Sequence, residues 1–80
     1  MRKSLIEFVE TEFGRSGEDF DPHEPLLESG LLDSVRVMAL VAHLERTEDI
    51  SIRDDQITPD NFATLACVER MIENNLRETR

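Results

Sequence analysis

A polar stretch over residues 15–33 ends in Gly-Leu-Leu-Asp-Ser (residues 30–34), which leads directly into an apolar-rich run over residues 35–44. Asp33 is a favoured N-cap residue, so this pattern predicts a helix that begins at Ser34. A helix start presents unpaired backbone N–H groups and the positive end of the helix dipole, and both stabilise a phosphate group. The Ser34 hydroxyl therefore lies where a covalently attached phosphate ester would be stabilised.

The size and composition of the chain predict a helical domain without covalent cross-links. The chain has 80 residues and one cysteine, Cys67, so it cannot form an internal disulfide. No cluster of cysteine and histidine has zinc-ligand spacing. The absence of Trp and Tyr favours a helical domain over an aromatic-rich β-barrel. We therefore expect one all-α domain over residues 1–80, with Cys67 as a small buried core residue.

The acidic charge of the chain is concentrated around Ser34. Residues 18–60 hold 12 acidic and 3 basic side chains, which accounts for the whole net charge of −9. A negative field repels nucleic acid and anionic lipid, and it attracts basic protein surfaces. The chain begins with no signal-peptide pattern and has no apolar run of membrane-spanning length. We expect a cytoplasmic monomer that binds proteins, with neither a nucleic acid nor a membrane as partner.

Four segments have the apolar spacing or the capping residues of a helix. The spacing predicts a first helix that ends at Gly14, a second over residues 34–47 and a last over residues 64–76. A short helix precedes the last one, because Thr58 is an N-cap residue and Pro59 suits the first helical position. The predicted fold is a small four-helix bundle with three longer helices, one short helix and a long first loop.

Apolar stripes on these helices define the expected core. On the second helix the stripe is predicted to consist of Leu40, Val41 and Leu44, which places Val37 and Met38 off the core side. The other predicted core residues are Leu5, Phe8, Val9, Phe13, Phe62, Leu65, Val68, Ile72 and Leu76.

The order of the elements, together with the sequence Leu-Glu-Ser-Gly-Leu-Leu-Asp-Ser over residues 27–34, resembles the acyl and peptidyl carrier proteins. The resemblance covers nearly the whole chain. It implies an acyl-carrier type of bundle in which Ser34 carries a 4′-phosphopantetheine arm and Asp33 belongs to the attachment site. It also implies that a phosphopantetheinyl transferase attaches the arm from coenzyme A, and that the thiol of the arm holds cargo as thioesters.

Two departures from the family pattern bear on stability and on partner choice. Glu48 stands near the end of the second helix where the family commonly has an aromatic residue, so a core side chain is either lost there, which would make the domain marginally stable, or supplied by Ile50. Arg36 and Ala39 occupy positions that are often acidic in fatty-acid carriers. The resemblance therefore disfavours docking to the basic patches of fatty-acid enzymes.

The motif of residues 30–34 and the sequence Thr-Pro-Asp-Asn-Phe-Ala-Thr over residues 58–64 look most like stand-alone carriers of polyketide and nonribosomal pathways. The partners that this implies are an adenylating enzyme or an acyltransferase that loads or unloads the cargo, and downstream synthase modules. Three alternatives stay open: a D-alanyl carrier, a fatty-acid carrier, and a helical interaction module that carries no cofactor.

The expected docking surface is the start and the exposed face of the second helix. It consists of Val35, Arg36, Val37, Met38, Ala42, Glu45 and Arg46. The positive charge of Arg36 lies in the first helical turn, where the helix dipole disfavours cations. We expect a phosphate on Ser34 or an acidic residue of a partner enzyme to offset this unfavourable placement.

No catalytic constellation accompanies Ser34. The serine lacks the Gly-x-Ser-x-Gly turn of serine hydrolases, and His23 and His43 would need tertiary contacts to act as its base. Both histidines are expected at the surface or half-buried, without a chemical role. The aspartates of residues 48–60 lack the spacing of a calcium-binding loop. We expect a protein with no catalytic activity of its own and no metal.

Overall fold

The computed structural model describes residues 1–78. All regular secondary structure within these residues is helical. Helix α1 spans Lys3–Phe8 and continues as a wider π-helical turn over Val9–Phe13. The other helices are α2 (Ser34–Glu48), α3 (Pro59–Phe62) and α4 (Leu65–Glu78), and a 3₁₀ turn, Asp54–Gln56, precedes α3. The predicted four-helix bundle of the carrier type is confirmed, with its long first loop.

The residues predicted to begin and end the helices do so. Gly14 adopts the left-handed conformation, with φ of 65°, and ends the first helical segment. The Asp33 carboxylate accepts a hydrogen bond from the Arg36 N–H at 2.9 Å and caps α2. The Thr58 side chain accepts from the backbone N–H of Asn61, so it caps α3 in the same way.

The core is one cluster to which both long loops contribute. The first loop buries Phe20, Leu26 and Leu32, and the loop after α2 buries Ile50 and Ile52. The alternative in which Ile50 supplies a core side chain is therefore confirmed. The buried apolar residues of the helices are Leu5, Phe8, Val9, Val37, Leu40, Val41, Leu44, Phe62, Leu65, Val68, Met71 and Ile72. Phe13 and Leu76, two predicted core residues, are partly buried against this cluster.

Two core predictions were wrong. Val37 is only 8% exposed, because it completes the spacing i, i+3, i+4, i+7 with the three buried residues that follow it on α2. Cys67 is half-buried rather than buried. It lies in the first turn of α4, where its backbone N–H donates to the Thr64 hydroxyl at 3.2 Å.

The first loop is held against the helices by backbone hydrogen bonds. The Leu26 N–H donates to the Ala63 carbonyl at 2.9 Å, and the Ala66 N–H donates to the Pro22 carbonyl at 2.9 Å. Gly17 packs so closely on α1 that a Cβ atom there would lie 2.6 Å from a side-chain carbon of Ile6. The loop therefore leads the chain to the start of α2 along a defined path.

A hydrogen-bonded ion pair ties the end of α2 to the N-terminal segment. The Glu48 carboxylate accepts two hydrogen bonds from Arg2, both at 3.0 Å, and one from the Ser4 hydroxyl at 2.6 Å. Arg2, and to a lesser extent Ser4, hold the pKa of Glu48 below its ordinary value, although burial opposes this shift. Glu48 therefore holds the end of α2 through polar contacts rather than through core packing.

Candidate functional site

Ser34 is the first residue of α2 and is exposed to solvent. Two local features place it there. Asp33 is extended, with φ of −130°, and its side chain caps the helix. Gly30 has φ of 80°, a left-handed conformation that residues with a Cβ rarely adopt, and it turns the loop just before the helix. The prediction that Ser34 lies at a helix start is confirmed.

An apolar crevice with a volume of about 360 Å³ lies beside Ser34. One wall is the start of α2 and the other is the segment that leads into and through α3. Its lining consists of Leu27, Asp33, Ser34, Val37, Met38, Ile57, Thr58, Pro59 and Phe62. The serine hydroxyl is therefore at the rim of a mostly apolar space that could receive the apolar part of a group attached to it.

The structure separates the predicted docking residues into exposed and buried ones. Val35 is 76% exposed and Met38 is 54% exposed, so their predicted exposure is confirmed. Exposed positions further along α2 are Ala42, Glu45 and Arg46. The Glu45 carboxylate also accepts the Ile52 N–H at 3.0 Å and so holds the loop after α2.

Val37 was wrongly placed among the exposed docking residues. Its side chain packs in the core, and it lines the crevice rather than the outer face of α2. An enzyme that docks on the outer face of α2 would therefore meet Val35 and Met38, with Val37 beneath them.

Arg36 folds back against the protein. Its Nη1 donates to the Leu31 carbonyl at 3.0 Å, and its guanidinium carbon lies 5.7 Å from the centroid of the Phe13 ring. A carbonyl and an aromatic face both stabilise a cation, so the chain itself offsets the unfavourable position of this charge in the first turn. Arg36 therefore needs neither the phosphate on Ser34 nor the partner carboxylate that was predicted for this purpose.

The histidines do not join Ser34. The Nε2 of half-buried His43 lies 2.7 Å from the Ser4 carbonyl oxygen, and His23 is exposed in the first loop. Neither histidine lines the crevice. Within residues 1–78, no group of His, Cys, Asp and Glu side chains is arranged to hold a metal ion.

Sequence reasoning missed the contribution of the two loops to the crevice. Leu27 and Ile57 line it, although they are far apart in the chain. The signal available for Ile57 was the alternation of isoleucines with polar residues after α2, which indicates a half-buried extended segment.

No helix of the described residues is long and apolar enough to cross a membrane.

Comparison with known proteins identifies the class of this chain. The family described as "Phosphopantetheine attachment site" matches residues 3–73. The chain therefore belongs to this family of carrier proteins, whose covalent cofactor is 4′-phosphopantetheine. A relative, the probable acyl carrier protein PigG of Serratia sp. (strain ATCC 39006), is 30% identical over 74 residues, which are 91% of this chain and 85% of that protein.

A solved structure shares the fold. A chain in "Crystal structure of FAD-dependent dehydrogenase" matches with a TM-score of 0.75 and 30% sequence identity. The alignment covers 86% of this chain and 99% of the other, so the matched chain is itself of carrier-domain length.

Proposed function

We propose that this chain is a stand-alone carrier that holds acyl or aminoacyl groups on a 4′-phosphopantetheine arm at Ser34, in polyketide or nonribosomal biosynthesis. The observation that carries the proposal is the exposed Ser34 hydroxyl at the start of α2, at the rim of an apolar crevice. In this proposal residues 1–80 are one cytoplasmic, monomeric domain without catalytic activity of its own. When bound, the arm supplies a flexible thiol that forms thioesters with the cargo.

The residues around Ser34 suit the attachment of a phosphate ester. In the proposed attachment step, the Ser34 oxygen forms a bond to the phosphorus of the arm and the pyrophosphate P–O bond of coenzyme A breaks. The nucleotide bisphosphate leaves, and the transferase accepts the hydroxyl proton. The start of α2 stabilises the resulting negative charge through its dipole. Asp33 holds the first turn by accepting the Arg36 N–H, so the helix start is formed before the arm is attached.

The outer face of α2 is the proposed docking surface for the transferase, for a loading adenylating enzyme or acyltransferase, and for synthase modules. Its contact residues are Val35, Met38, Ala42, Glu45 and Arg46, with Arg36 at the edge and Val37 beneath. Because Val35 and Met38 are apolar and exposed, a matching partner presents an apolar contact rather than a basic patch. A small apolar surface in an acidic molecule suits fast and weak docking, which a carrier needs in order to leave each enzyme.

Mass spectrometry tests the attachment. The chain is incubated with coenzyme A and a broad-range phosphopantetheinyl transferase, and the modified peptide is identified after digestion. We expect one arm per chain, on the peptide that contains Ser34. A chain that stays unmodified would support the alternative of a helical interaction module without a cofactor.

Loading of the modified chain distinguishes the carrier types. Use by the adenylating enzymes or acyltransferases encoded near its gene would support a role in polyketide or nonribosomal biosynthesis. Loading only by a D-alanine ligase, or only by fatty-acid enzymes, would favour the corresponding alternative.

An oxidation of the tethered cargo is a second proposed step. The similar chain of carrier length belongs to "Crystal structure of FAD-dependent dehydrogenase", which is expected if a carrier and such an enzyme act together. In this step the cargo would lose two hydrogens, one as a hydride to the flavin and one as a proton to a base of the enzyme. The thioester link would stay intact.

Flavin bleaching tests this second step. The loaded chain is mixed with an FAD-dependent dehydrogenase encoded beside its gene, and flavin absorbance and the mass of the cargo are followed. We expect the flavin to be reduced while the cargo loses two hydrogens. An oxidised flavin and an unchanged mass would remove this step and leave the attachment at Ser34 unaffected.

A further inference from the structure

Asn75 is a buried polar residue on α4, and it is 5% exposed. Its Oδ1 accepts from Gln56 Nε2 at 2.7 Å, and its Nδ2 donates to Gln56 Oε1 at 3.1 Å and to the Ser51 carbonyl at 3.2 Å. A buried amide is unfavourable unless its hydrogen bonds are satisfied. The two side-chain amides therefore constrain each other's positions strongly.

Gln56 extends this constraint to the crevice beside Ser34. Its backbone carbonyl oxygen accepts from the Thr58 N–H at 3.0 Å and from the Asn61 side chain at 2.8 Å. Thr58 lines the crevice, and so do its neighbours Ile57 and Pro59. A continuous series of hydrogen bonds thus leads from α4 to one wall of the crevice.

Apart from Gln56, this wall is held by a local hydrogen bond from the Ile57 N–H to the Asp54 carbonyl at 3.1 Å and by Ile57, which packs against the core. Helix α3 has only four residues, which is too short for its own hydrogen bonds to stabilise it. Phe62, which is 1% exposed, anchors the end of α3 in the core. The residues before α3 are only partly buried or exposed. Their hydrogen bonds to Gln56 therefore connect these residues to α4 and help to position them.

We propose that Asn75 is a positioning residue that, through Gln56, holds the wall of the crevice formed by Ile57, Thr58 and Pro59. Asn75 itself does not line the crevice. The position of the wall is a property of the folded chain and does not depend on the arm. Its importance for cargo rests on the proposed function, because a displaced wall changes the space available next to Ser34.

Residue-resolved amide hydrogen exchange on the full, unmodified chain tests this inference. In Asn75→Leu, we expect exchange over residues 54–62 to become about tenfold faster, since the half-buried Gln56 amide loses its hydrogen bonds to α4. The amides of α1 and α2 should change by less than about twofold, because those helices share a core that the substitution leaves in place. The matched control is Asn74→Leu, at the exposed neighbouring position on α4, which should leave residues 54–62 unchanged.

A second variant separates positioning from general stability. Gln56→Leu, at a half-buried site, should reproduce the local effect and also lose the hydrogen bond from the Arg53 N–H to Gln56 Oε1 at 3.0 Å. The double variant should therefore match Gln56→Leu, because Asn75→Leu removes only a contact that is already lost. Should Asn75→Leu not fold, Asn75→Ala, which removes the same amide without adding volume, decides the question. An equal rise of exchange in all helices, or no rise over residues 54–62, overturns the proposal. Since the arm is absent from this measurement, that result leaves the attachment at Ser34 unaffected.

Discussion

The two ends of α2 are built in opposite ways. At its start, Val35 and Met38 are 76% and 54% exposed, next to an apolar crevice. At its end, the Glu48 carboxylate accepts hydrogen bonds from Arg2 and Ser4. One helix thus combines an open end, where other molecules can make contact, with a closed end that joins it to the rest of the bundle.

This difference shows how a small domain can expose apolar side chains and stay folded. The apolar face of α2 is buried in the core from Val37 to Leu44, and the ion pair of Glu48 adds a directional contact beyond that face. The exposed residues at the start of α2 therefore have little part in stability. Substitutions at the two ends should separate function from stability.

Removal of the attachment oxygen should have the largest effect, at the open end. Ser34→Ala should abolish attachment of the arm and leave the melting temperature within about 2 °C of the parent, because the residue is exposed and the cap at Asp33 stays. Intact mass and a thermal melt measure the two properties. Ser29→Ala, in the loop that precedes α2, is the control and should be modified normally. Attachment that persists in Ser34→Ala would contradict the assignment of this serine.

Loss of the charge at the closed end should lower stability without affecting attachment. Glu48→Gln should reduce the free energy of unfolding by about 1–2 kcal/mol, because the hydrogen bonds from Arg2 lose their ionic character. Urea unfolding gives the value. The control is Glu24→Gln, which breaks the more exposed pair with Arg15 and should have a smaller effect. Equal losses in the two variants would show that the partly buried position of Glu48 is unimportant.

The stabilisation that Glu48 supplies at the closed end of α2 should also depend on pH. Arg2 holds the pKa of Glu48 below its ordinary value of 4.5, so the folded state keeps this carboxyl ionised at pH values where the unfolded chain protonates it. The resulting stabilisation is fully present above the unfolded pKa and is lost as pH falls through the lower folded pKa.

Unfolding free energies of the parent and of Glu48→Gln, measured from neutral pH down to about pH 3, test this pH dependence. Their difference should be constant near neutrality and shrink at the acid end. A difference that grows as the pH falls would contradict the direction of the pKa shift.

Truncation of the exposed apolar residues should weaken docking. Met38→Ala and Val35→Ala should each reduce affinity for a loading enzyme by about fivefold, or roughly 1 kcal/mol. Their melting temperatures should stay near that of the parent. The control is Val37→Ala, a truncation on the same helix but in the core, which should lower the melting temperature clearly. A melting temperature of Met38→Ala as low as that of Val37→Ala would contradict the conclusion that Met38 is exposed and contributes little to stability.

Reversal of the charge of Arg36 should have the smallest effect, a change of a few fold in transfer rates. Arg36→Glu should slow transfer from the cognate loading enzyme and improve use by fatty-acid enzymes with basic docking patches. Arg36→Gln is the control, since it removes the charge and keeps a donor for the Leu31 carbonyl. Equal steady-state rates for the parent and Arg36→Glu with both enzymes would show that Arg36 has no role in partner choice. Its role would then be limited to its contacts with Leu31 and Phe13 within the chain.

Local patterns were sufficient where the determinants are close together in sequence. Asp33 and Thr58 cap the helices that follow them, and Gly14 ends the first one, because each acts on backbone groups within a few residues. Val37 shows that a correct periodicity can be assigned too narrowly. Its spacing to the buried residues of α2 is visible in the sequence, but a predicted stripe that begins at Leu40 leaves it out.

Caps and apolar spacing act over a single turn or a single helix face, so the amino-acid pattern was enough to predict a helical bundle in which Ser34 opens the second helix. The wall of the crevice beside Ser34 and the contacts at the far end of α2 depend instead on long-range packing. Gln56 meets Asn75 across 19 positions and Arg2 meets Glu48 across 46. Polar pairs of this kind are specified by the packing of the helices that carry them, and no local pattern in the chain encodes such a meeting.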